Sequence, residues 1–218
     1  MKTIHKAGLA ASLLAVSSVA SAGWSANLGF ASEYIFRGVL QNTSSASGGV
    51  DYEADSGFYI GTWAADVGDG LEVDGYFGYG ATVGDFDLGI GYTGYFFTGD
   101  FDTEYHEINL SAGFSIFSLD VAVGQHDVEF GSDEDYTHYA FTAEKNGFYG
   151  TFGGFAQDYD GQYLDIGYGT TIAEIDLGVS LIAVIDDIVI DVDSAVEPVL
   201  LNATDETIVF TIGKSFDL

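Results

Sequence analysis

Hydrophobic and polar residues alternate with a period of two along most of this chain. Leu71, Val73, Phe77 and Tyr79 fall on one face of a run whose other face carries Glu72, Asp74 and Tyr76. Phe86, Leu88, Ile90 and Tyr92 oppose Asp87, Gly89, Gly91 and Thr93 in the same way. Ile108, Leu110, Ala112 and Phe114 oppose Glu107, Asn109, Ser111 and Gly113. Leu119, Val121 and Val123 oppose Asp120, Ala122 and Gly124, while Leu164, Ile166 and Tyr168 oppose Asp165, Gly167 and Gly169. Ile175, Leu177, Val179 and Leu181 oppose Asp176, Gly178 and Ser180. Such alternation predicts β-strands with two different faces. Strands are predicted at 25–39, 47–54, 58–67, 71–83, 86–97, 104–115, 118–129, 136–145, 148–158, 162–172, 175–186 and 205–216. Their polar faces are rich in Gly, Ser, Thr and Asp, which is the composition of a hydrated lumen and not of a packed core. Each apolar face runs roughly nine to eleven residues, enough for a tilted strand to cross a bilayer. The expected fold class is all-β, a transmembrane antiparallel up-and-down β-barrel of about twelve strands.

The connections test this reading independently. Asp55-Ser56-Gly57, Gly84-Asp85, Ile116-Phe117, Asn146-Gly147 and Ala173-Glu174 read as tight turns, and Asn-Gly is a strong hairpin signal. Longer polar links are expected at 40–46, 98–103, 130–135, 159–161 and 187–204, with a short one at 68–70. Outer-membrane barrels alternate short periplasmic turns with long external loops. An even strand count puts both ends of the barrel on the periplasmic side. Fusion of 47–54 with 58–67 would leave eleven strands and break the alternation.

Composition narrows the picture. Residues 1–22 read as a secretory signal peptide: Lys2, His5 and Lys6, then an apolar run from Leu9 to Val19, then Ala20-Ser21-Ala22 as a cleavage site. The barrel is expected over 23–218, exported by the Sec route to a Gram-negative outer membrane. No later run gives some 20 consecutive apolar residues, yet 47% of the chain is hydrophobic and 15% aromatic. Cysteine is absent, so no disulfide scaffold holds the exported protein. The formal charge is −29, and removing Lys2 and Lys6 makes it −31, with Arg37, Lys145 and Lys214 as the remaining cations. That balance excludes nucleic acid as a partner and disfavours anionic cargo. It also fits a surface adapted to salty water. The partners expected are outer-membrane lipid and lipopolysaccharide, the barrel-assembly machinery during biogenesis, and small ions or polar solutes.

Three stretches carry a resemblance. Ser32-Glu33-Tyr34-Ile35-Phe36-Arg37-Gly38-Val39-Leu40-Gln41 is similar to the S-[DE]-Y-x-F-R-G-x-[ST]-Q signature of the TorF family, with Leu40 departing. Ser56-Gly57-Phe58-Tyr59-Ile60-Gly61-Thr62-Trp63-Ala64 is similar to that family's second element. Gly213-Lys214-Ser215-Phe216 resembles its S-K-x-F terminus, although Asp217 and Leu218 follow here. The resemblance implies a proteobacterial outer-membrane barrel of porin type, and it implies a compartment more firmly than a cargo.

Candidate functional residues follow from facing. Arg37 shares a predicted face with Asn27, Glu33 and Ile35, placed inward. It either forms a constriction pair with Glu33 or a neighbouring carboxylate, or makes a structural ion pair, the favoured reading. Pore-lining residues are expected to be Glu33, Arg37, Glu72, Asp74, Asp87, Glu107, Asp120, Asp165 and Asp176. The acids among them would form a cation-attracting wall, unless they merely face water at the rims. A catalytic rim would draw on His106, His126, His138 and Asp127, but His126 and Asp127 are adjacent, so they face opposite sides of a strand and cannot pair directly. No G-x-S-x-G motif is present. The acidic stretches 99–104, 131–135 and 187–197 offer oxygens for Ca²⁺ or Mg²⁺, but none has EF-hand spacing and solvated loops are the expected reading. Trp24, Tyr95, Phe96, Phe97, Tyr105, Phe130, Tyr136, Phe148, Tyr149 and Phe216 are expected in interfacial girdles.

The expectation is a non-enzymatic, cofactor-free, passive diffusion channel for small ions or polar solutes, preferring cations. The alternatives are a non-conducting structural or adhesion barrel with acidic external loops, and a rim-sited hydrolase. The hydrolase requires a His within hydrogen-bond reach of an acid or Ser on adjacent strands.

Overall fold

The structure is a computed structural model that describes residues 22–129, 132–191, 198–201 and 205–218. The expected signal peptide lies almost wholly outside the described residues, as do Phe130, 192–197 and 202–204. Fifteen strands form: β1 (Gly23–Ala31), β2 (Tyr34–Phe36), β3 (Val39–Asn42), β4 (Ser45–Glu53), β5 (Phe58–Asp66), β6 (Leu71–Val83), β7 (Phe86–Thr98), β8 (Tyr105–Phe114), β9 (Phe117–His126), β10 (Glu134–Lys145), β11 (Phe148–Gln157), β12 (Tyr159–Ile172), β13 (Ile175–Ile190), β14 (Val199–Leu200) and β15 (Glu206–Asp217). β2 and β3 pair only with each other, and β14 only extends the edge of β13. The other twelve make one antiparallel sheet that closes on itself, through β12 with β13, β13 with β15 and β15 with β1. The stretches 47–54 and 58–67 are separate strands paired in register from Ser47–Ala65 to Glu53–Tyr59, as the turn alternation requires.

Closure pairs each of the twelve wall strands on both sides, which is what a chain surrounded by lipid needs. The outward positions are those the alternation assigned. Leu28, Ile90, Leu110, Phe141, Ile166, Ile208 and Phe210 are all exposed, Phe210 by 60%. A water-soluble protein would bury such a surface. Among the described residues no helix is long and apolar enough to cross a membrane, which leaves crossing by strands untouched.

The tight turns lie at one end. Ser115, Asn146, Ala173 and Glu174 adopt positive φ there, the backbone that two-residue hairpins demand. The other end carries the longer links, but less regularly than expected. β11 and β12 are separated by Asp158 alone, so the expected link at 159–161 is part of a strand. β13 continues to Ile190, four residues past the expected 186.

The largest departure concerns the expected strand 25–39. β1 stops at Ala31, and residues 34–42 leave the wall as the β2–β3 hairpin. Arg37 and Gly38 form its tip, both with positive φ (52° and 86°). The hairpin sits inside the barrel, in the half nearest the long links. Tyr34 and Ile35 are buried, and a Cβ on Gly38 would lie 2.6 Å from Ile188 and 3.1 Å from Tyr163. On one side Tyr34 packs with Ala65 and Val67; on the other Val39 packs against Tyr136, Phe155, Tyr159, Tyr163, Ile188 and Ile190.

Candidate functional site: the hairpin seat inside the barrel

The register of β6, β7 and β8 builds the seat. Glu72 and Asp74 lie two residues apart on the inward face of β6. Asp74 is opposite Tyr95 on β7, and Thr93, two residues before Tyr95, is opposite Glu107 on β8. All three acids are buried, with Asp74 at 0% and Glu107 at 1% exposure. Arg37 reaches across from the hairpin tip and grips Glu107 with both guanidinium nitrogens, Nη2 lying 3.0 Å from Oε2. Tyr95 and Tyr136 donate their hydroxyls to the same carboxylate at 2.9 and 2.8 Å. Tyr34 donates to Glu72 at 2.7 Å. A bidentate, fully ligated pair of this kind is strong and directional. Among the described residues, nothing donates to either oxygen of Asp74.

Arg37 is therefore inside, but not on the wall, and its partner is Glu107 instead of Glu33. The reason is local: Arg-Gly at positive φ turns the chain where a strand would continue. Glu33 stays near the wall, accepting from Thr207 of β15. Asp120 and Asp165 face inward below the hairpin, and Tyr149 donates to Asp165 at 3.2 Å. Asp87 and Asp176 lie next to the tight turns, each accepting from a threonine, Thr82 or Thr171. The barrel thus brings Arg37, Glu72, Asp74 and Glu107 together and leaves the other expected lining acids apart.

The inward glycines have a second role that alternation alone does not reveal. Tyr136 is the cross-strand partner of Gly124, and Tyr163 of Gly153. In both pairs the tyrosine ring lies over the glycine, where a Cβ would overlap it. Tyr76 on Gly61, Tyr59 on Gly78 and Tyr149 on Gly167 repeat the arrangement. The lumen is narrowed by aromatic rings seated on bare backbone, not simply widened by glycine. Several expected girdle residues belong to this interior: Tyr95, Phe97, Tyr105, Tyr136 and Tyr149 face in. Trp24, Phe96, Phe148 and Phe216 face out as expected. Nearness to a strand end does not fix facing: the alternation along each strand sends these five inward.

A second polar cluster lies at the long-link rim. His126 Nδ1 is 3.1 Å from Glu134 on the adjacent β10 and 3.0 Å from the Tyr159 hydroxyl. Its Nε2 is 2.8 Å from Thr103 Oγ1 and 3.2 Å from Asp102. This meets the distance requirement set for a rim hydrolase, through Glu134 and Thr103 and not through Asp127. The chemistry is that of a clasp. Both ring nitrogens face carboxylates, which favours the doubly protonated ring, and Thr103 donates its own proton to the Asp127 carbonyl. Tyr105 stacks on the imidazole with centroids 4.0 Å apart. Burial pushes Asp102 up, but hydrogen bonds from His126, Tyr105 and the Thr103 amide outweigh it and hold its carboxyl below the ordinary range. On the outer face of the same rim, Glu104, His106 and Asp127 bring one ligand atom each within 4.8 Å of one another. Tyr92 holds His106 Nδ1 at 2.7 Å.

A family model described as a bacterial protein of unknown function, Gcw_chp, matches residues 16–216. The chain belongs to the Gcw_chp family. The match spans the whole described barrel up to Phe216, the hairpin seat included. Among curated proteins none matches this Gcw_chp member. Solved structures similar to it include Pseudomonas aeruginosa OccK2 (OpdF), at 11% identity and a TM-score of 0.45, covering 82% of this chain and 59% of that one. The outer membrane protein OpdK of P. aeruginosa gives 11% and 0.42, covering 81% and 58%. OmpT of Vibrio cholerae gives 12% and 0.41, covering 91% and 99%. The chain spans about three fifths of the length of the two Pseudomonas proteins. These likenesses are loose, and the architecture of the Gcw_chp barrel stands on its own strand pairing.

Proposed function

We propose that this protein is a porin-like channel of the outer membrane that passes small ions or small polar solutes and prefers cations. The observation that carries the reading is the two-faced closed cylinder: apolar outside, with Asp51, Asp87, Asp120, Asp165 and Asp176 on its inner face. A passage lined with carboxylates concentrates cations and repels anions. The hairpin β2–β3 is the constriction, and the small inward residues beneath it, Gly89, Gly91, Ser111 and Gly113, form a vestibule towards the tight turns. No bond is broken in this mechanism. The TorF resemblance and the signal peptide expected at 1–22 support the same compartment.

Insertion of refolded protein into a planar bilayer tests the proposal. Discrete conductance steps with a reversal potential on the cation-selective side are expected under a salt gradient. Repeated silence from correctly folded protein overturns it. One observation favours a second reading: the hairpin is packed on both sides by apolar clusters, as a permanent plug would be. A non-conducting structural or adhesion barrel predicts that silence.

A further inference from the structure

The outer face of the long-link rim, away from the lumen, brings three metal-ligating side chains together. The β8–β9 ladder ends at Tyr105–His126, and the Asp127 amide extends it by donating to the Glu104 carbonyl at 2.9 Å. Glu104 and Asp127 are thereby set opposite each other across two strands, with His106 next along the outward face of β8. Like charges directly opposite cost a sheet stability. Among the described residues no hydrogen-bond donor reaches either carboxylate: His106 Nε2 stops 3.8 Å from Glu104 Oε2, too far for a hydrogen bond. Yet one ligand atom from each of the three lies within 4.8 Å of the others. Small rotations of the two solvent-reaching carboxylates would set all three atoms about 2.0–2.2 Å from a single ion. The imidazole is already oriented for it. Tyr92 engages Nδ1 at 2.7 Å, which turns Nε2 towards the acids. The Tyr92 ring also stacks on His106 at 19°, and Phe96 meets it edge-on at 74°. Both rings close over Gly94, the residue opposite His106, where a Cβ would lie 3.0 Å from Phe96 and 3.2 Å from the Tyr92 hydroxyl. A partner on the second ring nitrogen is the usual companion of a metal-bound histidine.

We propose that His106, Glu104 and Asp127 form a site for one Zn²⁺-like divalent ion on the outer face of the rim, with Tyr92 as the positioning residue of His106. One nitrogen and two carboxylate ligands suit Zn²⁺. The imidazole selects such ions over Ca²⁺ and Mg²⁺, which take oxygen ligands. Three protein ligands leave a further coordination position open to the surroundings. The site faces away from the lumen, so the inference goes beyond the channel reading and does not rest on it.

The test uses the full barrel, untagged, refolded in detergent and stripped with chelator. Zn²⁺ is titrated by calorimetry in a large excess of Mg²⁺. One ion per barrel should bind, with an affinity that Mg²⁺ leaves unchanged. His106→Ala should lose that binding; His126 and His138 remain in this variant, so binding at either would survive. Asp135→Asn removes a different acid from the same rim and should keep it. Tyr92→Phe should weaken it about 10-fold, the cost of losing an outer partner. If His106→Ala does not fold, Asp127→Asn serves the same comparison. Absence of one-to-one binding in the wild type, its erasure by Mg²⁺, or equal affinity in His106→Ala or its substitute overturns the site. Wild-type affinity in Tyr92→Phe overturns the positioning role of Tyr92. Bilayer conductance of the same samples is read separately. A silent barrel that binds Zn²⁺ would defeat the channel and leave the site standing, and a conducting barrel that does not bind would do the reverse.

Discussion

A tyrosine that fills a barrel from the inside needs a floor, and here the floor is glycine. The ring of Tyr136 over Gly124 and that of Tyr163 over Gly153 are held by cross-strand register, so each glycine is fixed by its partner's size and not by backbone flexibility. Gly124→Val should displace the Tyr136 ring, loosen its bond to Glu107, and cost about 1–3 kcal/mol, typical of overpacking. Gly75→Val, on the outward face with nothing within 4 Å, should leave stability near the wild type. Urea midpoints of the two variants in the same vesicles check this. Equal losses would mean that the valine backbone preference, not the ring, decides. The hydroxyls matter as much as the rings. Each lumenal tyrosine that reaches a carboxylate turns an inward acid from a solvated charge into part of the wall, as Tyr149 does for Asp165.

At the scale of elements, the β2–β3 hairpin decides the character of the lumen. Its two apolar sides hold it between the β5–β7 and β10–β13 walls, and its tip is fastened by Arg37 on Glu107. Arg37→Glu sets like charges against each other in the seat. Removing one partner of a buried pair costs roughly 3–5 kcal/mol, enough to release the tip. Larger single-channel conductance and stronger cation preference are expected, and an unchanged reversal potential would refute this role for Arg37. Much of the barrel was legible beforehand because a two-faced strand writes its facing into every second residue: β6 to β9 came out with the right faces and nearly the right ends. The hairpin was not legible in that way. Tyr34, Ile35 and Phe36 are apolar whether they face lipid or pack inside, and alternation cannot separate the two. The available clue was Gly38, a residue suited to positive φ in the middle of an overlong strand. The carboxylates of the seat were expected on the inward face, and the pairing of Glu107 with Arg37 depends on where the hairpin folds. The His126 clasp was missed because its partners come from a neighbouring strand and a loop.

For the molecule as a whole, the solvent on each side of a thin wall sets what can be changed. Leu110, outward and mid-strand on β8, is 45% exposed. Leu110→Arg should cost about 2–4 kcal/mol in lipid, as cations do near the midplane. The same residue at inward Ser118 should cost far less, since lumenal acids offset its charge. Guanidinium unfolding in vesicles measures both, and equal costs would contradict the assignment of faces. One more property follows from the seam, where β1 pairs with β15 from Ser25–Asp217 to Ala31–Thr211. These partners lie almost the full chain apart, so the loop-closure entropy of the last pairing is met only after every other strand is in place. Until then both margins present unpaired backbone to any neighbour, including another unfinished copy. Maturation of this protein is thus a race between zipping its own first and last strands and being captured at either raw border, and loss of a few residues from 206–217 should shift that race towards aggregates without touching the interior at all.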